Sequence, residues 1–168
     1  MHPATLPPER LRADCLLRRV RASGPGGQRR NKVHTGVELV HEPTGLAVRH
    51  VKFRSSEENE AAALSLLRLR LAVEVRGEPP PVLDAAPTDL WKSRTRGGKI
   101  VCRTGHEDYP ALLAEALDRL HVAGGDFPAA AEPLGVSVSQ LQKFLRAEPS
   151  AWLKANGWRE EMGLPRIR

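Results

Sequence analysis

Cysteine is scarce. Cys15 and Cys102 are the two in 168 residues, and neither belongs to a CxxC pair. They supply no disulfide framework and no cysteine metal cluster, and both read as reduced structural residues of a reducing compartment. Long apolar runs are lacking too. No stretch reaches the ~20 residues that cross a bilayer, and the opening MHPATLPPERLRAD lacks the apolar run of a secretory signal. These absences give the expectation of a cytoplasmic protein with no membrane partner. No segment repeats. Acids are in the minority, 20 Asp and Glu against 26 Lys and Arg, for a net charge of +6 and a pI near 9.9. That balance favours a polyanionic partner, with nucleic acid first. With 40% hydrophobic residues, the chain can bury one solid core, or a small core plus a helical appendage.

The basic residues are densest from Arg10 to Arg54. Residues 14–21, DCLLRRVR, read as a strand. In VHTGVELV, residues Val33, Thr35, Val37 and Leu39 share one face, with His34, Gly36 and Glu38 on the other. Pro43-Thr44-Gly45 supplies a tight reversal, and LAVRHV returns as a third strand. A helix follows over SSEENEAAALSLLRLRLAVEV. Ser55 or Ser56 caps it, Glu57 and Glu58 suit its positive end, and Ala61, Leu64, Leu67 and Leu71 form the packing stripe. RGEPPPVLDAAPTD is a proline-rich break. LWKSRTRGGKIVCRTG reads as a basic loop with a short strand at Lys99–Arg103. Helices are then expected over DYPALLAEALDRLHV, FPAAAEPLG, SVSQLQKFLRAE and PSAWLKANG. The fold class expected is α+β: a small three-stranded β-sheet with a packed helix, followed by a small all-α, helix-turn-helix-like module. The divisions are 1–76 for the first domain, 77–105 for a linker and basic loop, and 106–168 for the helical module.

Residues 21–32, RASGPGGQRRNK, carry the chemistry. The GxxxxGK[ST] phosphate loop fails, because Gln28-Arg29-Arg30 supplies no Lys followed by Ser or Thr. GxGxxG fails at Arg29. Adjacent glycines let a backbone N–H approach a substrate with no Cβ in the way. Ordering them costs roughly 1–2 kcal/mol per residue fixed. No titratable base lies within Gly24–Gln28, so chemistry there rests on positioning and hydrogen bonds. Arginine and lysine on both sides point to a phosphate-rich partner.

The stretch SGPGGQRRNKVHTGVELVHEPTGLAV resembles the catalytic domain of class I peptide-chain release factors and of the short release-factor-like peptidyl-tRNA hydrolases that rescue stalled ribosomes. The likeness covers about residues 10–76. It rests on Ser23-Gly24-Pro25-Gly26-Gly27-Gln28, Asn31-Lys32, Pro43-Thr44-Gly45 and the Arg54-Ser55-x-x-x-Asn59 run. The resemblance implies a monomer that enters the peptidyl-transferase centre of the large ribosomal subunit and hydrolyses the ester of P-site peptidyl-tRNA, with no cofactor and no metal. Gly26, Gly27 and Gln28 would be catalytic. Arg18, Arg19, Arg21, Arg29, Arg30, Asn31 and Lys32 would contact 23S-type ribosomal RNA. Gln28 is a candidate for methylation by a glutamine methyltransferase.

Two departures bear on that expectation. Few residues precede the GGQ domain of about residues 10–76, which gives the expectation that no stop codon is read. The ending NGWREEMGLPRIR dilutes the Lys/Arg-rich tail of the short rescue hydrolases. AEPLGVSVSQLQKFL resembles a helix-turn-helix, with Ala131 and Gly135 at the spacing needed for close helix contact and a tight turn, and Val136, Leu141 and Phe144 as its small core. Ser137, Ser139, Gln140, Gln142 and Lys143 would then be available to RNA or protein. His106, Glu107 and Asp108 read as a cap and not as a metal cluster. Trp91, Trp152 and Trp158 read as packing anchors. Two other classes of reading remain: a ribosome- or RNA-binding accessory protein without hydrolysis, and a helix-turn-helix DNA-binding regulator.

Overall fold

The computed structural model describes residues 2–21, 35–78 and 82–167. Residues 22–34, including Val33 and His34 of the strand reading, lie outside the described residues. The fold is α+β: a three-stranded antiparallel sheet with packed helices, followed by several further helices. The chain forms two compact units, Leu6–Leu71 and Met1–Thr5 with Ala72–Arg168.

The first unit opens with α1 (Pro8–Ala13), which the sequence reading did not assign; Pro8 stands in its first turn, where a missing N–H costs nothing. Then come β1 (Cys15–Val20), β2 (Gly36–His41) and β3 (Ala47–His50), paired in the order β1-β2-β3. The registers Leu17↔Leu39↔Val48 and Arg18↔Glu38↔Arg49 define the two faces of the sheet. Leu39 and Val48 are buried, as is Val37. The Pro-Thr-Gly reversal between β2 and β3 closes with Gly45 at φ 70°, its N–H donating to the His41 carbonyl at 2.8 Å. Gly36 is required by crowding. A Cβ there would stand 2.6 Å from Val51 Cγ1 and 2.7 Å from the Val20 carbonyl oxygen.

Helix α2 (Ser56–Glu74) follows, and its phase differs from the expected stripe. Ala61 is exposed and Leu64 half-buried, whereas Asn59, Ala63, Leu67 and Leu71 are fully buried. Four-residue spacing puts these four on one face, and a polar residue leads it. The Asn59 side chain explains the choice. Its Nδ2 donates to the carbonyls of Thr35, Phe53 and Ser55 at 2.8, 2.9 and 3.0 Å. Its Oδ1 accepts from the Phe53 N–H at 3.0 Å and lies 2.8 Å from His50 Nδ1. Three acceptors around the nitrogen fix the amide orientation, so His50 carries its proton on Nδ1. Ser55 caps the helix, its hydroxyl accepting from the Glu58 N–H.

In the second unit, α3 (Asp89–Ser93) leads into a small hairpin, β4 (Thr95–Arg96) and β5 (Lys99–Ile100). Helix α4 (Tyr109–Val122) is buried on nearly every side, with α5 (Phe127–Ala131), α6 (Val138–Arg146) and α7 (Pro149–Glu161) around it. Thus residues 82–105, read as linker and basic loop, fall within this unit. Arg119 donates to the carbonyls of Val82, Leu83 and Ala86, and Thr88 bonds Glu115. Trp91 is buried, and its Nε1 donates to the Leu134 carbonyl at 2.9 Å. Trp158 is buried, and Trp152 lies against the Phe127 ring.

Three local readings need correction. The helix expected over FPAAAEPLG ends at Ala131, with Pro133 beyond it and Gly135 at φ 66°. The Asp108 carboxylate makes no cap to α4; it pairs with Arg94 at 2.6 Å instead. The short strand ends at Ile100, before Arg103. Both cysteines are free thiols, and burial pushes each thiol's pKa up, which suits inert residues.

Two measurements check this packing. Asn59→Ala leaves several buried backbone groups unpaired and should cost about 3 kcal/mol, since each orphaned group costs roughly 1–3 kcal/mol. Asn59→Asp has the same shape but aims a carboxylate at three carbonyls. It should be at least as destabilising as the alanine in urea denaturation, and an Asp variant as stable as the parent would refute the assignment. The second concerns pH. Burial holds the imidazoles of His2 and His41 below the usual value, against the pull of Asp118 and Asp14 respectively. The unfolded chain takes up these protons near pH ~6.5, the folded chain only at lower pH. Stability is therefore complete above about pH 6.5 and falls as pH drops through the folded values. The urea midpoint should decline from about pH 7.5 to about pH 5, and less so in His41→Gln; a flat profile in the parent would contradict this.

Candidate functional site

Arg21 and Thr35 flank the residues that carry the GGQ sequence. The two strands enter and leave that stretch as partners, Val20 opposite Gly36. Both flanking carbonyls are held. The Arg49 guanidinium donates to the Arg21 carbonyl, and the Asn59 amide donates to the Thr35 carbonyl. Arg49 comes from β3 and Asn59 from α2, so sheet and helix each secure one end. Neither residue was assigned a role from sequence. Asn59 was visible in the Arg54-Ser55-x-x-x-Asn59 run, but nothing in that spacing says that an amide there is buried. Arg49 looked like one more basic residue.

Of the expected RNA-contacting residues, Arg18, Arg19 and Arg21 are described and exposed. Alternation separates the first two. Arg18 shares a face with Glu38 and Arg49, opposite each other across the three strands. Its guanidinium lies 3.7 Å from the Glu38 carboxylate and keeps 60% of its side chain exposed, a pair that adds little stability. Arg19 sits on the α2 side. There it adds attraction to Glu57, whose carboxyl is held below its usual range first by the Ser55 hydroxyl. Gly26, Gly27, Gln28, Arg29, Arg30, Asn31 and Lys32 lie outside the described residues.

The charge is unevenly shared between the units. Leu6–Leu71 holds thirteen Lys and Arg against seven Asp and Glu, and the other unit holds thirteen of each. The whole +6 excess therefore belongs to the unit with the GGQ sequence. Exposed basic side chains in such excess raise the local concentration of a polyanion and steer its approach.

In the helical unit, the residues expected to read a partner are partly used internally. The Ser137 hydroxyl caps α6 by accepting from the Gln140 N–H at 3.2 Å, and it lies 3.0 Å from the Ser139 hydroxyl. Leu141, Phe144 and Val136 are buried as anticipated. His106 Nδ1 accepts from the Asp108 N–H at 3.1 Å, which fixes the turn into α4. No group of three or more His, Cys, Asp or Glu among the described residues is arranged to hold a metal ion.

Comparison with known proteins agrees with this geometry. The RF-1 domain model matches residues 5–96, more than half of the chain. Peptide chain release factor 2 of Neisseria meningitidis is 38% identical over 88 residues, covering 50% of this chain and 24% of that protein. That of Aromatoleum aromaticum is 46% identical over 59 residues, covering 35% and 16%. The mitochondrial peptide chain release factor 1 of Kluyveromyces lactis is 35% identical over 96 residues, covering 57% and 23%. The chain spans about a quarter or less of the length of these relatives. The matched stretch holds the three-stranded sheet, α2 and both held carbonyls, and on that ground the chain belongs to the RF-1 domain family of peptide-chain release factors.

Proposed function

We propose that this protein hydrolyses the peptidyl-tRNA ester in the peptidyl-transferase centre of the ribosome, independently of the codon, in rescue of stalled ribosomes or in termination. The observation that carries the reading is the GGQ sequence set between two paired strand ends whose carbonyls are held by Arg49 and Asn59. Family membership and the placement of all the excess charge in the same unit support it.

The proposed chemistry needs no side-chain base. A water oxygen attacks the ester carbonyl carbon, the bond to the ribose oxygen breaks, and that oxygen leaves with a proton as the 3′ hydroxyl. The Gln28 backbone N–H would stabilise the charge that develops on the leaving oxygen, and its side chain would shape a gap that admits water and excludes larger nucleophiles. Gly26 and Gly27 would set the direction of that N–H. One well-placed donor of this kind is typically worth about 10²–10³ in rate. Arg18, Arg19, Arg21, Arg29, Arg30, Asn31 and Lys32 would hold 23S-type ribosomal RNA through phosphates. In the same reading the protein works as a monomer in the cytoplasm, and Gln28 is the residue a glutamine methyltransferase would modify.

The test is peptide release from stalled ribosomes. Gly26→Ala or Gly27→Ala should lower release by at least about 10²-fold while co-sedimentation with large subunits persists. Release unchanged in both variants would refute the mechanism. Binding without release in the parent protein would favour a non-hydrolytic accessory factor. Failure to co-sediment, with DNA binding instead, would favour the helix-turn-helix regulator.

A further inference from the structure

The second unit is neutral as a whole, yet its charge is not evenly spread. From Leu90 to His106 the sequence has Lys92, Arg94, Arg96, Lys99 and Arg103 and no acid. Two of these are committed within the unit, Lys92 to Asp89 at 3.1 Å and Arg94 to Asp108 at 2.6 Å. Arg96, Lys99 and Arg103 are exposed and make no ion pair among the described residues.

Their placement is more than an accident of solvation. Arg96 and Lys99 are direct partners across the β4–β5 hairpin. Like charges directly opposite on a strand pair are destabilising, and no acid among the described residues relieves this pair. The hairpin is nevertheless well built. Gly97 and Gly98 adopt φ 54° and 72°, as a tight two-residue reversal demands. The Val101 N–H donates to the Arg94 carbonyl at 2.7 Å, and buried Trp91 lies in the helix that leads into β4. The Gly98 side of the tip approaches the Gly135 turn before α6, whereas a Cβ at Gly97 would meet nothing within 4 Å. The tip thus offers open backbone between two cations.

We propose that the β4–β5 hairpin, through Arg96 and Lys99 and with Arg103 shortly after it in the chain, is a second RNA-contacting surface that grips backbone phosphate. A polyanion would remove the repulsion that the isolated protein leaves unrelieved. Arginine and lysine on a glycine tip suit phosphate and carry no base-reading pattern, so the contact is independent of sequence. RNA is the phosphate source because the proposed function places the protein on the ribosome; to that extent the inference rests on that reading.

The test uses the full chain and the triple variant Arg96→Ala/Lys99→Ala/Arg103→Ala, with Lys154→Ala as a control at a cation already paired with Glu74. Binding is measured over a salt series, first to a generic RNA duplex and then to purified large ribosomal subunits. On the duplex, where ribosome recognition plays no part, the triple variant should bind more weakly. Its plot of log affinity against log salt should be shallower by about 2, at roughly 0.7–0.9 for each phosphate that is no longer neutralised. Its thermal midpoint should match or exceed the parent's, because the Arg96–Lys99 repulsion is gone. Equal affinity and slope in parent and variant would overturn the proposal, as would a parent that does not bind the duplex. On subunits, weaker binding with an unchanged slope would indicate a protein contact and also overturn it. A parent that binds the duplex through the hairpin but does not bind subunits would leave the hairpin standing and sink the ribosomal reading.

Discussion

The structure around the GGQ sequence depends on one buried carboxamide. Asn59 has no solvent exposure, and its two polar atoms serve four segments: the residue before β2, the end of β3, the loop at Phe53 and the start of α2. A buried polar group is tolerated when it is satisfied, and it then specifies geometry more tightly than an apolar contact. An apolar side chain here would leave the Thr35 and Phe53 backbone groups without this partner. The amide also sets the rotation of α2, because Ala63, Leu67 and Leu71 follow it at four-residue spacing onto the sheet side. Sheet, helix and flanking residue are thereby fixed relative to one another by a single side chain.

The second unit solves a similar problem with arginine. Arg76 donates to Asp118 and to the carbonyls of Ala72 and Val73, closing the end of α2. Arg119 gathers the carbonyls of Val82, Leu83 and Ala86. These planar forks reach several acceptors that a lysine would meet one at a time. A proline-rich stretch has few N–H donors of its own, so its carbonyls need a donor from elsewhere. The sequence alone suggests a linker; the Arg119 guanidinium ties carbonyls of its described part to α4, although its side chains stay largely exposed.

How much was legible follows from the same contrast. Alternation at Val37 and Leu39, the Pro-Thr-Gly reversal and the helical spacing of α4 and α6 are local signals that the structure follows, although β2 runs Gly36–His41 and Thr35 lies before it. The phase of α2 was misread because hydrophobicity nominated Ala61 and Leu64, and the residue that decides the phase is polar. Helix α3 escaped notice because a five-residue helix has almost no period to detect; Trp91, which anchors it, was legible only as an anchor. The GGQ stretch stands out in the sequence because the family resemblance there rests on residue identity. Its supports do not, because the Arg49 and Asn59 bonds run to carbonyls 28 and 24 residues away.

Under the proposed function, that division bears on how such a site would hydrolyse an ester. A catalytic group that supplies only a backbone N–H has no pKa to tune, so its efficiency rests wholly on where the donor points. Glycines give the backbone access to the required direction but also add conformational freedom that must be removed when the partner is bound. The flanking carbonyls of Arg21 and Thr35 are held from independent elements, one by the sheet and one by the helix. The excess cationic charge lies in the same unit as the GGQ sequence, and under the proposed function its attraction to phosphate would offset the ordering cost. Under that proposal, positioning by the flanking elements and attraction to the partner would act on different portions of one entropy term, and neither requires a titrating residue in the glycine-rich stretch.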